Sequence, residues 1–161
     1  MPIEIQPFAA DDEEEFFAAF EQIVNDGEGF PLAAPLTRAA CNDYWFGPDT
    51  SVWVVRVDGA LVGGYYVKPN FVGRAAHIAN AGYFLVEARR GSGLGRRMVT
   101  HSLDEARRLG FDALQFNLVF VSNPARQMYR ELGFQEIGVI PAAVDGEDAV
   151  IYWRSLAPGD P

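Results

Sequence analysis

The sequence predicts an α/β or α+β fold, a mixed sheet with helices on both faces. Three observations carry this. Two apolar runs, 51–57 and 60–68, are separated by Asp58-Gly59, a dipeptide suited to a two-residue hairpin because both central positions need positive φ. A strand–helix–strand unit follows in mid-chain, at 76–86, 94–109 and 112–119. Apolar stripes at helical spacing mark 11–25 and 94–109 as amphipathic helices that need a sheet to cover them.

The elements follow in order. Ile3 to Phe8 alternates and reads as a strand. Residues 11–25 read as a helix with Phe16, Phe17, Phe20, Ile23 and Val24 on one face. Its acidic run, Asp11 to Glu15, sits at the positive end of the helix dipole and reads as a solvated helix start. Gly27 to Pro35 is a loop, and 36–46 a second helix ending in Tyr44-Trp45-Phe46. After the hairpin, Pro69-Asn70 ends the second of its strands. Strand 76–86 is mostly apolar, as a central strand should be. Helix 94–109 buries Met98, Val99, Leu103, Ala106 and Leu109, and Gly110 stops it. Asn123 and Pro124 open a helix to 132, as N-cap and first-turn proline, and Gly133 ends it. Two closing strands, 134–140 and 148–154, complete the order β-α-α-β-β-β-α-β-α-β-β. No repeat or linker divides the chain, so residues 1–161 are expected to form a single domain.

Charge and composition exclude several classes. Thirteen Lys and Arg against 22 Asp and Glu leave a net charge of −9, which disfavours nucleic acid as a partner. The single cysteine, Cys41, excludes an internal disulfide and a CxxC metal site, and reads as packing. His77 and His101 match no zinc spacing, so no metal is expected. The longest stretch without a charged residue, 113–125, is too short for a membrane span. The start, Met1 to Glu4, lacks the basic and apolar regions of a signal peptide, and a cytoplasmic location is expected.

The glycine cluster before helix 94–109 is the first chemical signal. Gly91, Gly93 and Gly95 alternate with Ser92 and Leu94, among Arg89, Arg90, Arg96 and Arg97. A glycine-rich turn lets backbone N–H groups approach an anion, and the following helix start adds a positive dipole. This local reversal of charge in an acidic chain favours a polyphosphate ligand. The dinucleotide fingerprint fails, because Arg96 stands at its third glycine, and the P-loop fails at Gly95-Arg96-Arg97.

A second constellation lies about thirty residues on: Asn123-Pro-Ala-Arg126-Gln-Met-Tyr129, then Gly133-Phe134. Together with Arg90-Gly-Ser-Gly-Leu-Gly95, in this order and on these elements, the chain resembles the GCN5-related N-acetyltransferase superfamily from about residue 2 to 156. The resemblance implies a mostly antiparallel sheet of six to seven strands, splayed between 76–86 and 112–119. It implies acetyl-CoA as cofactor, its pyrophosphate held by Arg90, Gly91, Ser92, Gly93, Leu94, Gly95 and Arg96. It implies main-chain contacts from Phe84, Leu85 and Val86 to the pantetheine and acetyl groups. Asn123 and Arg126 are then cofactor-binding, with Asn123 on the pantetheine arm, and Tyr129 stands near the sulfur. A weaker likeness, from Lys68-Pro-Asn70 through Asn80 to Tyr83, is to the branch that acetylates proline-like imino acids. It implies Asn80, Tyr83 and Asn117 in the acceptor site.

Acetyl transfer to an amine needs a neutral amine, a stabilised oxyanion and a leaving thiolate. Leu85 N–H fits the oxyanion donor and Tyr129 the acid for sulfur. A phenol near 10 and a thiol near 8.5 place that proton transfer uphill by only about 2 kcal/mol. The base is open: water, Tyr83, His77 or Glu28, since strand 76–86 holds no acid. Asn80 and Asn117, polar within apolar strands, also fit internal hydrogen bonds. The reading is an N-acetyltransferase acting on a small amine or imino acid in a ternary complex. A protein N-terminal acetyltransferase and a non-catalytic acyl-CoA sensor are the alternatives, and homodimerisation is left open.

Overall fold

A computed structural model describes residues 1–159. Asp160 and Pro161, the end of the expected 1–161 domain, lie outside the described residues. The strands are β1 Ile3–Pro7, β2 Ser51–Val57, β3 Ala60–Pro69, β4 Ile78–Leu85, β5 Ala113–Phe120, β6 Gln135–Val144 and β7 Glu147–Ser155. The helices are α1 Glu13–Asn25, α2 Arg38–Trp45, α3 Leu94–Arg108 and α4 Arg126–Glu131. The seven strands form one sheet in the order β1-β2-β3-β4-β5-β7-β6. β4 and β5 pair in parallel, over Ile78–Asn80 opposite Ala113–Gln115, while β1–β2, β2–β3, β5–β7 and β6–β7 are antiparallel. No helix of the described residues is long and apolar enough to cross a membrane.

The chain divides into two compact units. The first holds Met1–Val67 and Gly82–Val99, the second Lys68–Ala81 and the chain from Thr100 onward.

In the first unit the strand period of two sends alternate side chains to opposite faces. Val54, Tyr66 and Phe84 meet Phe16, Phe20, Ile23 and Val24 of α1 and Cys41 and Trp45 of α2. Val55, Val57 and Val62 meet Leu94 and Met98 at the start of α3. Helices therefore cover both faces here, as the pattern predicts. Phe17, expected in the apolar stripe, is only half-buried, with the Arg38 guanidinium 4.5 Å over its ring. Burial lifts the Cys41 thiol to about 11, which keeps it protonated and unreactive, in keeping with a packing role.

The acidic helix start departs from the expected solvated run. Asp12 is buried and sits 2.7 Å from Arg56 of β2, while its other oxygen accepts from Ala9 N–H at 2.8 Å. Glu15 also meets Arg56, at 3.1 Å. The cation that draws Asp12 inward comes from a strand more than forty residues away, which helix periodicity cannot reveal.

Gly63 lets β3 approach β4 closely. A Cβ there would lie 2.6 Å from the Phe84 carbonyl oxygen, a backbone atom that cannot step aside. Gly63→Ala is expected to cost about 1–3 kcal/mol through overpacking. Thermal melts check this.

The second unit is built on β5, β7 and β6. α4 is shorter than the expected 123–132 helix. Asn123 caps a preceding turn instead, its Oδ1 accepting from Ala125 N–H at 2.9 Å, and regular helix starts at Arg126. The side chain of Asn123 competes with the backbone for that N–H, a habit of Asx residues at turns.

Three helices end in the same way. After α1, Gly27 N–H donates to Val24 and Glu28 N–H to Ile23; after α3, Gly110 donates to Arg107 and Phe111 to Ala106; after α4, Gly133 donates to Arg130 and Phe134 to Tyr129. Each glycine has positive φ, between 75° and 91°. This is the Schellman closure, in which a left-handed residue lets two amides reach back to orphan carbonyls.

Candidate active site

The candidate residues divide between the two units. Tyr83 to Val86 and the Arg90–Arg96 loop lie in the first, with Asn80, Asn117, Asn123, Arg126 and Tyr129 in the second.

In the first unit, β4 runs into the glycine loop. Leu94 is buried against Val55, Val57, Val62 and Met98 and pins the loop to the sheet. Arg97 N–H donates to the Gly93 carbonyl at 3.2 Å, so Gly93 stands at the cap before α3, and the Leu94 and Gly95 amides fall in the helix's unpaired first turn. Gly91 and Gly93 have φ of 74° and 83°. A Cβ at Gly91, Gly93 or Gly95 would meet no atom within 4 Å, so the space over the loop is open. Ser92 Oγ donates to the Arg89 carbonyl at 2.6 Å and braces the turn. Arg90 uses Nε on the Leu85 carbonyl at 3.2 Å and Nη1 on the Glu28 carboxylate. Its Nη2 has no partner among the described residues, and exposed Arg97 makes no ion pair there. Open backbone, a helix start and unspent guanidinium donors suit a phosphate group.

The strand before the loop presents its main chain. Val86 N–H donates to the Val62 carbonyl of β3 at 2.8 Å. The trans peptide sends the Leu85 carbonyl the opposite way, and Leu85 N–H points to that same side, away from β3. Phe84 is buried among Phe16, Phe20 and Trp45, with ring centroids 5.2–5.5 Å away. Tyr83 is half-buried beside Tyr65, at 5.6 Å.

In the second unit, Tyr129 is buried on the inner side of α4. Its ring lies 4.8 Å from Phe116, 5.5 Å from Tyr152 and 6.0 Å from Phe134. Burial first, and then neighbouring Tyr152, push its phenol well above the ordinary tyrosine value, so it stays protonated. Its hydroxyl makes no hydrogen bond among the described residues. Asn123 likewise leaves its side-chain NH₂ unbonded there.

Arg126 is committed to the protein. Nε reaches the Tyr152 hydroxyl at 2.9 Å, Nη1 the Val121 carbonyl at 3.1 Å and Nη2 Glu136 at 3.2 Å. Glu136 also accepts from Tyr152 at 2.7 Å and Arg130 at 2.9 Å. These donors, Tyr152 first and Arg130 next, hold the Glu136 carboxyl below the usual range. The clamp is therefore intact at neutral pH and weakens as pH falls toward that lowered value. It fixes α4, and with it Tyr129. Neither Glu136 nor Tyr152 stands out in the sequence. They face each other across β6 and β7, and that register is not legible from one chain.

Asn80 is buried and donates to the Gln115 carbonyl at 3.0 Å. Asn117, expected in a buried strand, is exposed. The register of β5 against β7 shifts between Phe116 and Val119, and this irregularity takes Asn117 out of regular alternation. It exchanges hydrogen bonds with Asn70, at 2.7 and 3.1 Å, and accepts from Gln115 at 3.0 Å. Asn70, read from sequence as a strand end and as the start of the weaker likeness but not as a site residue, thus joins the amide cluster. Of the suggested bases, exposed His77 lies 3.0 Å from the Arg74 carbonyl and Glu28 is ion-paired to Arg90.

A braced loop with open backbone at a helix start is the arrangement of proteins that bind phosphorylated ligands. The model of the acetyltransferase (GNAT) family matches residues 5–134, and the chain belongs to that family. It is an acetyl-CoA-dependent acyltransferase. The chain is 29% identical over 145 residues to N-acetyltransferase aca1 of Schizosaccharomyces pombe, covering 80% of this chain and 68% of that protein. A GCN5-related N-acetyltransferase from Kribbella flavida superposes with a TM-score of 0.86 at 29% identity, over 95% of this chain and 97% of the other. A phosphinothricin acetyltransferase from Sinorhizobium meliloti, solved in complex with acetyl-CoA, has a TM-score of 0.85 at 20% identity, over 99% of this chain and 91% of its own. The last likeness speaks for the fold alone.

Proposed function

We propose that residues 1–161 act as one domain that transfers the acetyl group of acetyl-CoA to a small amine, amino- or imino-acid-like, in a ternary complex. The observation that carries this reading is Tyr129: protonated, buried, with an unbonded hydroxyl, on a helix held by the Glu136 clamp. Raised by burial, the phenol gives up its proton less readily than the ordinary one assumed from sequence, so it suits an acid only in step with charge growing on sulfur, and its hydroxyl serves no visible packing need.

Acetyl-CoA supplies the thioester, an activated acetyl carbon with a thiolate leaving group. Leu85 N–H, on the side of β4 away from β3, donates to the charge that grows on the carbonyl oxygen. The amine nitrogen bonds to the acetyl carbon, the C–S bond breaks, and the amine's spare proton leaves to water. Tyr129 gives its proton to the departing sulfur. Because burial raises the phenol, that proton moves in step with C–S cleavage, as charge accumulates on sulfur, and water then restores the phenol. Arg90, Ser92 and the Gly91–Gly95 backbone hold the pyrophosphate, and Asn123 holds the pantetheine arm.

The uncharged amides of Asn70, Gln115 and Asn117, with Asn80 of β4 paired opposite Gln115 of β5, suit a small zwitterionic acceptor. They donate to a carboxylate without trapping the product as a fixed charge would. Asn117→Ala and Asn80→Ala are expected to raise the acceptor KM or lower kcat/KM several-fold, with CoA binding near normal. Asn80→Ala that merely unfolds would assign that residue to its Gln115 hydrogen bond. The deciding assay is thiol release from acetyl-CoA against amino acids, imino acids, polyamines and peptides. Preference for peptides would make the protein a protein N-terminal acetyltransferase. Tight CoA binding with no turnover on any amine would make it a sensor.

A further inference from the structure

The three Schellman closures differ in one respect. The second residue past the helix end is Phe111 after α3 and Phe134 after α4, but Glu28 after α1. An apolar residue is usual there, packing back on the helix. Phe134 does this, against Tyr129. A carboxylate at that place faces the negative end of the helix dipole and is disfavoured. Glu28 is compensated by Arg90, yet both side chains are more than a third exposed, and such a pair adds little to folding. Stability does not account for it.

Its geometry does. Gly27 and the two reach-back hydrogen bonds hold the Glu28 backbone rigidly off the end of α1. From there its carboxylate takes Nη1 of Arg90, whose Nε is on the Leu85 carbonyl. Nη2 stays available for phosphate. We propose that Glu28 is a positioning residue for acetyl transfer: through Arg90 it fixes the orientation of Leu85, whose N–H stabilises the oxyanion. The inference rests on the donor reading of Leu85 and the glycine loop given above. It also sets a cost, since the carboxylate lies beside the pyrophosphate site and repels it.

Two opposite effects follow, and a structural role does not produce them. Glu28→Gln is expected to lower kcat about tenfold, while the Kd for CoA tightens a few-fold as a negative charge is lost. In an Arg90→Gln background, Glu28→Gln is expected to change kcat no further, because its only route to Leu85 is gone. Glu28→Asp keeps the charge with a shorter reach and is expected to lower kcat less than Glu28→Gln. The measurements are single-turnover rates at saturating acetyl-CoA, CoA titrations and melts.

Unchanged kcat in Glu28→Gln, with Arg90→Gln impaired, would overturn this inference alone. An undiminished loss from Glu28→Gln in the Arg90→Gln background would also overturn it, placing Glu28 on the acceptor. Normal kcat and CoA affinity in Arg90→Gln would instead sink the underlying reading of the loop. If Glu28→Gln does not fold, wild-type kcat in Glu28→Asp would overturn the inference and a reduced kcat at normal CoA affinity would support it.

Discussion

Tyr129→Phe is expected to lower kcat by roughly 10²–10⁴-fold, the usual worth of a positioned general acid. The change removes one oxygen and keeps the ring, which makes the contacts with Phe116, Tyr152 and Phe134. No hydrogen bond within the described residues is lost, so melting should move little. CoA affinity should stay within a few-fold, since the glycine loop and Asn123 are untouched. Single-turnover acetyl transfer at saturating acetyl-CoA, with melts alongside, decides it. Full activity would show that water or another residue protonates the sulfur. A variant both inactive and much less stable would mean that the hydroxyl had a structural partner.

The second large effect is at Gly93. Its φ of 83° is costly for any side chain, and a Cβ would enter the open space over the loop. Gly93→Val should therefore distort the turn and fill the place of the phosphate. Loss of one or two charge-assisted hydrogen bonds predicts weaker CoA binding by roughly 10- to 10⁴-fold. CoA should raise the melting temperature of the wild type by mass action, with NAD or ATP doing much less, and Gly93→Val should lose the effect. Equal stabilisation by NAD would contradict the donor assignment.

Much of this fold is visible in local pattern. Asp58-Gly59 and the apolar runs beside it mark the β2–β3 hairpin, with β2 at the expected 51–57 and β3 one residue longer than expected. Gly110 and Gly133 mark helix ends, because a left-handed residue is a local requirement. The glycine loop is legible for the same reason, its chemistry lying in consecutive backbone amides. What escapes is what depends on distant partners. Asp12 looks solvated until Arg56 is placed beside it. Arg126 stands in the motif as a ligand contact, and its bonds to Tyr152 and Glu136 are invisible there. Asn117 reads as buried because the β5 irregularity has no marker in composition. The resemblance locates motif residues, and the supporting shell behind them needs tertiary contacts.

The closure of α4 turns spacing into a catalytic variable. Phe134 N–H is tied to the carbonyl of Tyr129 itself, and Gly133 makes the turn that allows it. Tyr129 therefore stands at a set count of residues before the chain reverses into β6. One residue added between Tyr129 and Gly133 would rotate the tyrosine by roughly 100° about the helix axis, since a turn takes about 3.6 residues. The ring would leave its place between Phe116 and Tyr152, and the hydroxyl would swing with it. Chain length at the Asp145-Gly146 tip joining β6 and β7 carries no such penalty. Over evolution the segment 129–134 should drift in composition far more freely than in length.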